Sequence, residues 1–393
     1  MGMLAWAALT GAASGTLGHW AVRRVLGGWP GAPSSPAVAV ILGSAFSTRV
    51  SGEGLTLGGH ALERVTVPTP WGCVDVMQLA PSALCGGRRG YVIARHGVPH
   101  RSLPHEIPYR AIASALRLLG CRALLVTSSV GLLSPTVPKD TLLPVMDLLM
   151  PENRLPCGGP CTVFAPATVS GAWAELGAAP AWTAGAVPTD VVGEPGHLVL
   201  GGRGGLFHPA LTAFAREAAR LAQGAPPSSA AAEGGRRPEP AGGEGGVVFA
   251  YVPGPRTKTP AENAAWRLAG ADVNSMTLGP EVVLAAELGV PTAAVVVGHK
   301  RSGKGGGLRP EGDTGARVEG DTEARVEGGG GATGTPVGER TGQSRQAARH
   351  GEAGTMERSL VDGRAALERL ALTWLQSAPV EEECRSWVYR LDK

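Results

Sequence analysis

Arg95-His96-Gly97-Val98-Pro99-His100-Arg101-Ser102-Leu103-Pro104-His105, running into Tyr109-Arg110-Ala111, follows directly on the apolar run Gly90-Tyr91-Val92-Ile93-Ala94. Three histidines and three arginines fall within sixteen residues. Gly97, Pro99 and Pro104 break regular structure, so the stretch reads as a loop leaving a strand end. Cationic side chains gathered at a strand end prepare a site for an anion, and phosphate is the commonest biological one. A solvated basic loop is the plain alternative, and the rest of the chain decides between them.

Working outward, short β-rich runs alternate with helical patterns. Ala37–Leu42, Tyr91–Ala94, Ala123–Thr127, Val247–Val252, Ala271–Met276 and Pro291–Val297 read as strands. Apolar residues at 112, 115, 116 and 119 give Tyr109–Leu119 a helical period that Gly120 closes. Helices are also expected over Pro260–Leu268 and Pro280–Leu288, the latter opening on Pro and carrying Glu281 in its first turn. This alternation predicts a largely parallel sheet covered on both faces, with ligands beyond the carboxyl ends of its strands. Each small-polar or basic cluster follows a strand: Gly43-Ser44, Arg95-His96, Thr127-Ser128-Ser129, Gly254-Pro255-Arg256 and Met276-Thr277. That coincidence favours an anion site over a solvated loop.

The chain of 393 residues carries 59 glycines and 32 prolines, unevenly spread. Gly224–Gly246 reads GAPPSSAAAEGGRRPEPAGGEGG, and a second tract from Arg301 contains the tandem octads EGDTGARV and EGDTEARV, 311–326. Neither tract buries enough apolar surface to offset its ordering entropy, so both read as disordered insertions. What remains suffices for one large α/β domain. The expected organisation is an apolar N-terminal extension, 1–36; a domain over 37–300, interrupted at about 224–246; a low-complexity insertion, 301–356; and a C-terminal segment, 357–393. Val361–Gln376 within that last segment has the spacing of an amphipathic helix that completes the domain.

A net charge of +3 is too small to imply a polyanion partner, and no basic helix or aromatic-interleaved patch points to nucleic acid. The six cysteines are scattered, without the paired spacing of a zinc site. They fit the reduced thiols of an intracellular, cytoplasmic protein with no metal. Met1–Val22 is apolar and acid-free before Arg23 and Arg24. A weak anchor, a targeting segment and a helix lying on the domain all fit it, while its glycines and hydroxyl residues argue against a spanning helix. No membrane partner is expected.

Taken in order, Gly43-Ser44 after a strand, ARHGVPHR (94–101), VTSSVGLL (126–133), GPRTKTPAE (254–262) and GADVNSMTLGPEVVLA (270–285) resemble the purine nucleoside and methylthioadenosine phosphorylases. The wording at 94–101 is nearest the methylthioadenosine/methylthioinosine branch. The resemblance implies a three-layer α/β/α nucleoside phosphorylase fold with a mixed, barrel-like central sheet, and a homotrimer. It implies a pentosyl-transferring glycosyltransferase of purine salvage, in which phosphate displaces the base of a nucleoside to give a ribose 1-phosphate. Inorganic phosphate is then a co-substrate, and no cofactor is expected.

The chemistry suits these residues. Positive charge builds on the sugar while phosphate approaches one face, and negative charge builds on the departing base. By resemblance, Arg95 and His96 are the catalytic pair; Ser44, Arg95, His96, Ser128, Ser129 and Thr277 hold phosphate; Met276 packs on the ribose. His100 and His105 read as partners in the loop's own hydrogen bonds. The base half departs from the pattern. Thr257 and Lys258 stand where the family places an aromatic or apolar residue and Glu. His299 and Lys300 stand where it places the Asn or Asp that bonds purine N7, with no Asn or Asp nearby in that segment. Loss of such a donor costs about 10²–10³ in rate unless His299 or Lys300 takes its place. Two readings follow: an active phosphorylase with altered base preference, or a catalytically weak phosphorylase-fold protein kept for binding or assembly.

Overall fold

Six successive apolar residues without polar alternation form a strand buried on both faces, and Ala37–Leu42 is such a strand, fully inside the protein. The computed structural model describes residues 35–43, 55–98, 100–164, 195–200, 205–225, 246–302, 363–380 and 387–389. Nearly all of the N-terminal extension and of both insertions lies outside them, as does Ser44.

In chain order the strands are β1 (Ala37–Leu42), β2 (Thr56–Leu57), β3 (His60–Thr69), β4 (Gly72–Leu79), β5 (Arg89–Ala94), β6 (Cys121–Leu132), β7 (Leu142–Leu149), β8 (His197–Val199), β9 (Val247–Tyr251), β10 (Val273–Ser275), β11 (Thr292–Arg301) and β12 (Trp387–Tyr389). The helices are α1 (Tyr109–Leu118), α2 (Pro209–Ala222), α3 (Pro260–Leu268), α4 (Gly279–Glu287) and α5 (363–377).

Ten strands pair in the order β10-β9-β7-β11-β6-β1-β5-β4-β3-β2, and β10 pairs again with β6. That second pairing closes β6, β11, β7, β9 and β10 into a five-stranded barrel. The sheet is mixed: β1 runs parallel to β5 and β6, whereas β7 runs antiparallel to β11 and β10 antiparallel to β6.

Strand pleating divides the interior in two. Ala37, Ala39 and Ile41 enter one core with α1 and α4, while Val38, Val40 and Leu42 enter another with α2 and α5. Helices thus cover both faces, giving the three-layer arrangement and barrel-like sheet expected from the sequence. Gly120 at φ +71° ends α1 in the left-handed region that glycine adopts without strain. α5 is anchored by fully buried Trp374, edge-on to Phe214 at 5.8 Å, and by Arg369, which donates to the Ala222 carbonyl at 2.8 Å.

Two strands run further than their sequence implies. β6 and β11 remain paired past the polar residues, through Val297↔Ser129, Lys300↔Gly131 and Arg301↔Leu132. Thr127–Ser129 and Gly298–Lys300 therefore lie within strands, not beyond them. β1 leaves β6 after Ile41↔Val126, and β5 ends at Ala94. A crevice opens where these two strands stop and β6 continues.

Candidate active site

A cavity of about 540 Å³ fills that crevice. Its walls come from Gly43 at the end of β1, the 96–104 loop, β6 over 128–131, the 257–263 segment, β10 and its exit to Thr277, and the end of β11. Sequence elements from Gly43 to Ser302 meet there: the carboxyl ends of β1, β5, β6 and β11, which run parallel, and the exits of β9 and β10, which run against them.

Small hydroxyl residues cluster on one side. Ser128 Oγ lies 3.1 Å from Thr277 Oγ1 and 3.4 Å from Ser275 Oγ, and the Ser275 hydroxyl donates to the Ser129 carbonyl at 3.0 Å. Ser129 also lines the cavity, and Gly43 approaches its backbone. Ser44 follows Gly43 directly but lies outside the described residues.

His96 and His100 both line this wall, their rings stacked at 4.4 Å. The place of His100 on the cavity wall goes beyond its assignment to loop structure alone. His105 is exposed and does not line the cavity. His96 Nδ1 lies 2.8 Å from the Ser102 carbonyl, so Nδ1 carries the proton and donates. Burial, aided by Arg95 and His100, pushes His96 down to about 4 against the pull of Ser102. Its ring is neutral at ordinary pH, and Nε2 keeps its lone pair.

Arg95, expected as a charged fork on phosphate, is instead behind the wall. Its Nη1 lies 3.0 Å from Glu281 Oε2, both side chains are fully buried, and Nη2 donates to the Thr127 carbonyl. A guanidinium in the core needs a counter-charge, and turning Arg95 outward would strand the Glu281 carboxylate. Glu281 also accepts the Leu278 N–H at 3.0 Å. Leu278 is held at φ +73°, a region that side chains rarely adopt, with its side chain fully buried. Arg95 and Glu281 thus tie the backbone before Ser128 to the turn after Thr277.

On the opposite side Thr257, Lys258, Met276 and Lys300 all line the cavity, with Met276 Sδ packed against Gly254. Burial is the chief cause lowering Lys258 to about 8, with Arg256 adding to it and Glu262 opposing. His299 does not join them. The β6–β11 register shifts between Gly298 and Lys300, so His299 is the bulged residue and turns to Asp140, with Nδ1 2.7 Å from Oδ1. No carboxylate lines the cavity among the described residues.

Several lining residues escape the sequence reading: Ser275, Asn263 and Asn274, Arg301 and Ser302. The two asparagines bond each other, Asn274 Nδ2 to Asn263 Oδ1 at 2.9 Å. They come from α3 and β10, where nothing in the local pattern sets them apart from solvent-facing polar residues.

Residues 84–307 match the family model described as the phosphorylase superfamily. The chain is 35% identical over 234 residues, 59% of its length and 70% of the relative's, to a probable S-methyl-5'-thioinosine phosphorylase of Methanopyrus kandleri. It is 27% identical over 257 residues to S-methyl-5'-thioadenosine phosphorylase 1 of Puccinia graminis f. sp. tritici, covering 64% of this chain and 68% of that one. Among solved structures, the fold is similar to a methylthioadenosine phosphorylase sourced from an antarctic soil metagenomic library, with TM-score 0.52, 16% identity and 90% of each chain covered.

Proposed function

The chain belongs to the phosphorylase superfamily, and from that membership we propose that it cleaves the N-glycosidic bond of a purine nucleoside with inorganic phosphate. The bond between C1′ and the base nitrogen breaks with its electrons going to the base, a phosphate oxygen bonds C1′, and free base and a pentose 1-phosphate leave. The relatives' names place a methylthio-substituted ribose among the candidate sugars.

The observation that carries this reading is the hydroxyl cluster of Ser128, Ser275 and Thr277, facing neutral His96 inside one cavity at the strand ends. Hydroxyls and backbone N–H groups donate to phosphate without filling its volume. Phosphate entering as the monoanion passes its proton to His96 Nε2, which leaves an imidazolium donor beside a dianion. That dianion then meets the positive charge growing on the sugar. Ser44 adds a donor from the end of β1. Arg95 acts through the backbone it holds, as a positioning residue. Met276 lies against the ribose, and Lys258 and Lys300 meet the base as its negative charge develops. The reaction needs no cofactor, and the assembly is a homotrimer in the cytoplasm.

The test is phosphate-dependent release of hypoxanthine, guanine or adenine from inosine, guanosine, adenosine and their methylthio counterparts. No release at high enzyme concentration, with phosphate still bound, would overturn the reaction. Light scattering at the molecular mass of one or two chains would overturn the trimer.

A further inference from the structure

Asn274 is a buried amide that its surroundings only half satisfy. It is 4% exposed, yet it lines the cavity. Its Nδ2 donates to Asn263 Oδ1 at 2.9 Å, the one side-chain hydrogen bond it makes among the described residues. A buried amide left without partners costs free energy, and its groups are satisfied in most proteins. The bond to Asn263 also fixes both amides: Asn274 keeps Oδ1 as an acceptor, and Asn263 keeps Nδ2 as a donor.

Gly131 makes room for this acceptor and for the Ser302 hydroxyl, both of which a Cβ there would strike. Gly131 is the cross-strand partner of Asn274 in the β6–β10 ladder. A Cβ at Gly131 would lie 2.9 Å from Asn274 Oδ1, too close for any larger residue without displacement. Asn274 also stands on the same strand exit as Met276 and Thr277, so one short segment faces base, ribose and phosphate in turn.

We propose that Asn274, locked by Asn263, reads the edge of the purine's six-membered ring and selects a 6-oxopurine over a 6-aminopurine. The proposal rests on the phosphorolysis reading for the identity of the ligand as a purine. A 6-oxopurine offers N1–H as donor and O6 as acceptor. Asn274 Oδ1 accepts from N1–H, while Asn263 Nδ2 donates to O6. Lys258 and Lys300, which make no hydrogen bond or ion pair among the described residues, add donors only. A 6-aminopurine in the same place presents its N1 lone pair to Asn274 Oδ1 and its amino donor to Asn263 Nδ2, and so meets like with like.

The experiment compares hypoxanthine with adenine by calorimetry, and inosine with adenosine by phosphorolysis, in the wild type, Asn274→Ala, Asn263→Ala and Asn274→Asp. The wild type prefers the 6-oxo partner. Asn274→Ala and Asn263→Ala each lose about tenfold of that preference, the scale of one uncharged hydrogen bond, chiefly in KM. In Asn274→Asp the carboxylate accepts from Asn263 Nδ2 and from the base N1–H, while Asn263 Oδ1 now opposes O6, so the 6-oxo preference falls; no adenine preference replaces it, because the adenine N1 lone pair meets the carboxylate. Should Asn274→Ala fail to fold, the half-buried Asn263→Ala carries the same comparison. A wild type that binds neither base, or preferences unmoved in all folded variants, overturns the proposal. Phosphorolysis with unmoved preferences leaves the reaction standing and removes Asn274. Base binding that depends on Asn274 without phosphorolysis does the reverse.

Discussion

Arg95 Nη1 and Glu281 Oε2 meet at 3.0 Å with both side chains wholly buried, one layer behind the cavity wall. The pair joins strand β6 to the turn that opens α4. Arg95 holds the carbonyl of Thr127, and Glu281 holds the N–H of Leu278. The next residue along from the first and the one before the second, Ser128 and Thr277, then stand with hydroxyls 3.1 Å apart. An ion pair behind the wall sets the spacing of two hydroxyls that line the cavity.

Removing one partner of a buried pair strands the other, at a cost of about 3–5 kcal/mol. Arg95→Ala is therefore expected to lose about that much stability in chemical denaturation. Arg95→Met with Glu281→Leu leaves no charge in the core and should recover most of the loss. In that double variant phosphate affinity, read by calorimetry, stays within about tenfold of wild type, because no direct donor has gone. A loss of a thousandfold or more in a well-folded double variant would return Arg95 to the phosphate's own contacts.

His96 gives a pH test. Burial holds its folded value near 4, below the unfolded value of about 6.5. Between those limits the unfolded chain binds a proton that the fold rejects, so ligand-free stability falls as pH drops through the window. Phosphate beside Nε2 favours the imidazolium and raises the folded value. The Tm increase produced by phosphate should then be larger at pH 5.5 than at pH 8, and His96→Ala should abolish that difference. NMR titration of the ring without phosphate should show it neutral down to about pH 4.

Much of this was legible because it is local. β1, α1 and α3 stand where six apolar residues, a helical period and a Pro-led capping segment placed them. His96, Ser128, Ser129, Thr257, Lys258, Met276, Thr277 and Lys300 stood beside the apolar runs that became strands, and all line the cavity. What failed depended on partners far away in sequence. The inward turn of Arg95 is decided by Glu281, and the outward turn of His299 by a bulge against β6 and by Asp140. The β3–β4 hairpin, β7 and α2 were also missed, although α2 carries a helical period of buried residues at 211, 215, 218, 219 and 222. The pairing of Asn263 with Asn274 exists only after the barrel closes.

Glu287 offers a stability test away from the cavity. Buried in α4, it accepts the Val163 N–H at 2.8 Å, and burial pushes its carboxyl up to about 7. The fold retains this proton to higher pH than the unfolded chain does, so stability falls as pH rises from about 4.5 to 7. Glu287→Gln keeps an acceptor for Val163 without the charge. Its Tm should lie close to wild type at pH 5 and exceed it at pH 8, by the equivalent of about 3 kcal/mol. Equal pH dependence in the two proteins would show that Glu287 ionises freely in the fold.

Lys258 provides the sharpest kinetic prediction. Burial lowers its ammonium to about 8, so it is a charged donor below that pH and a neutral amine above it. If it meets negative charge on the departing base, kcat/KM falls as pH rises through about 8, approaching tenfold for each further pH unit. Lys258→Arg keeps its charge throughout and should move that descending limb beyond the measurable range, at a lower plateau because the fork fits the space of an ammonium poorly. Lys258→Met should lower the plateau and remove the limb together. A wild-type profile flat to pH 9.5 would take Lys258 out of the reaction and leave Lys300 as the cation facing the base.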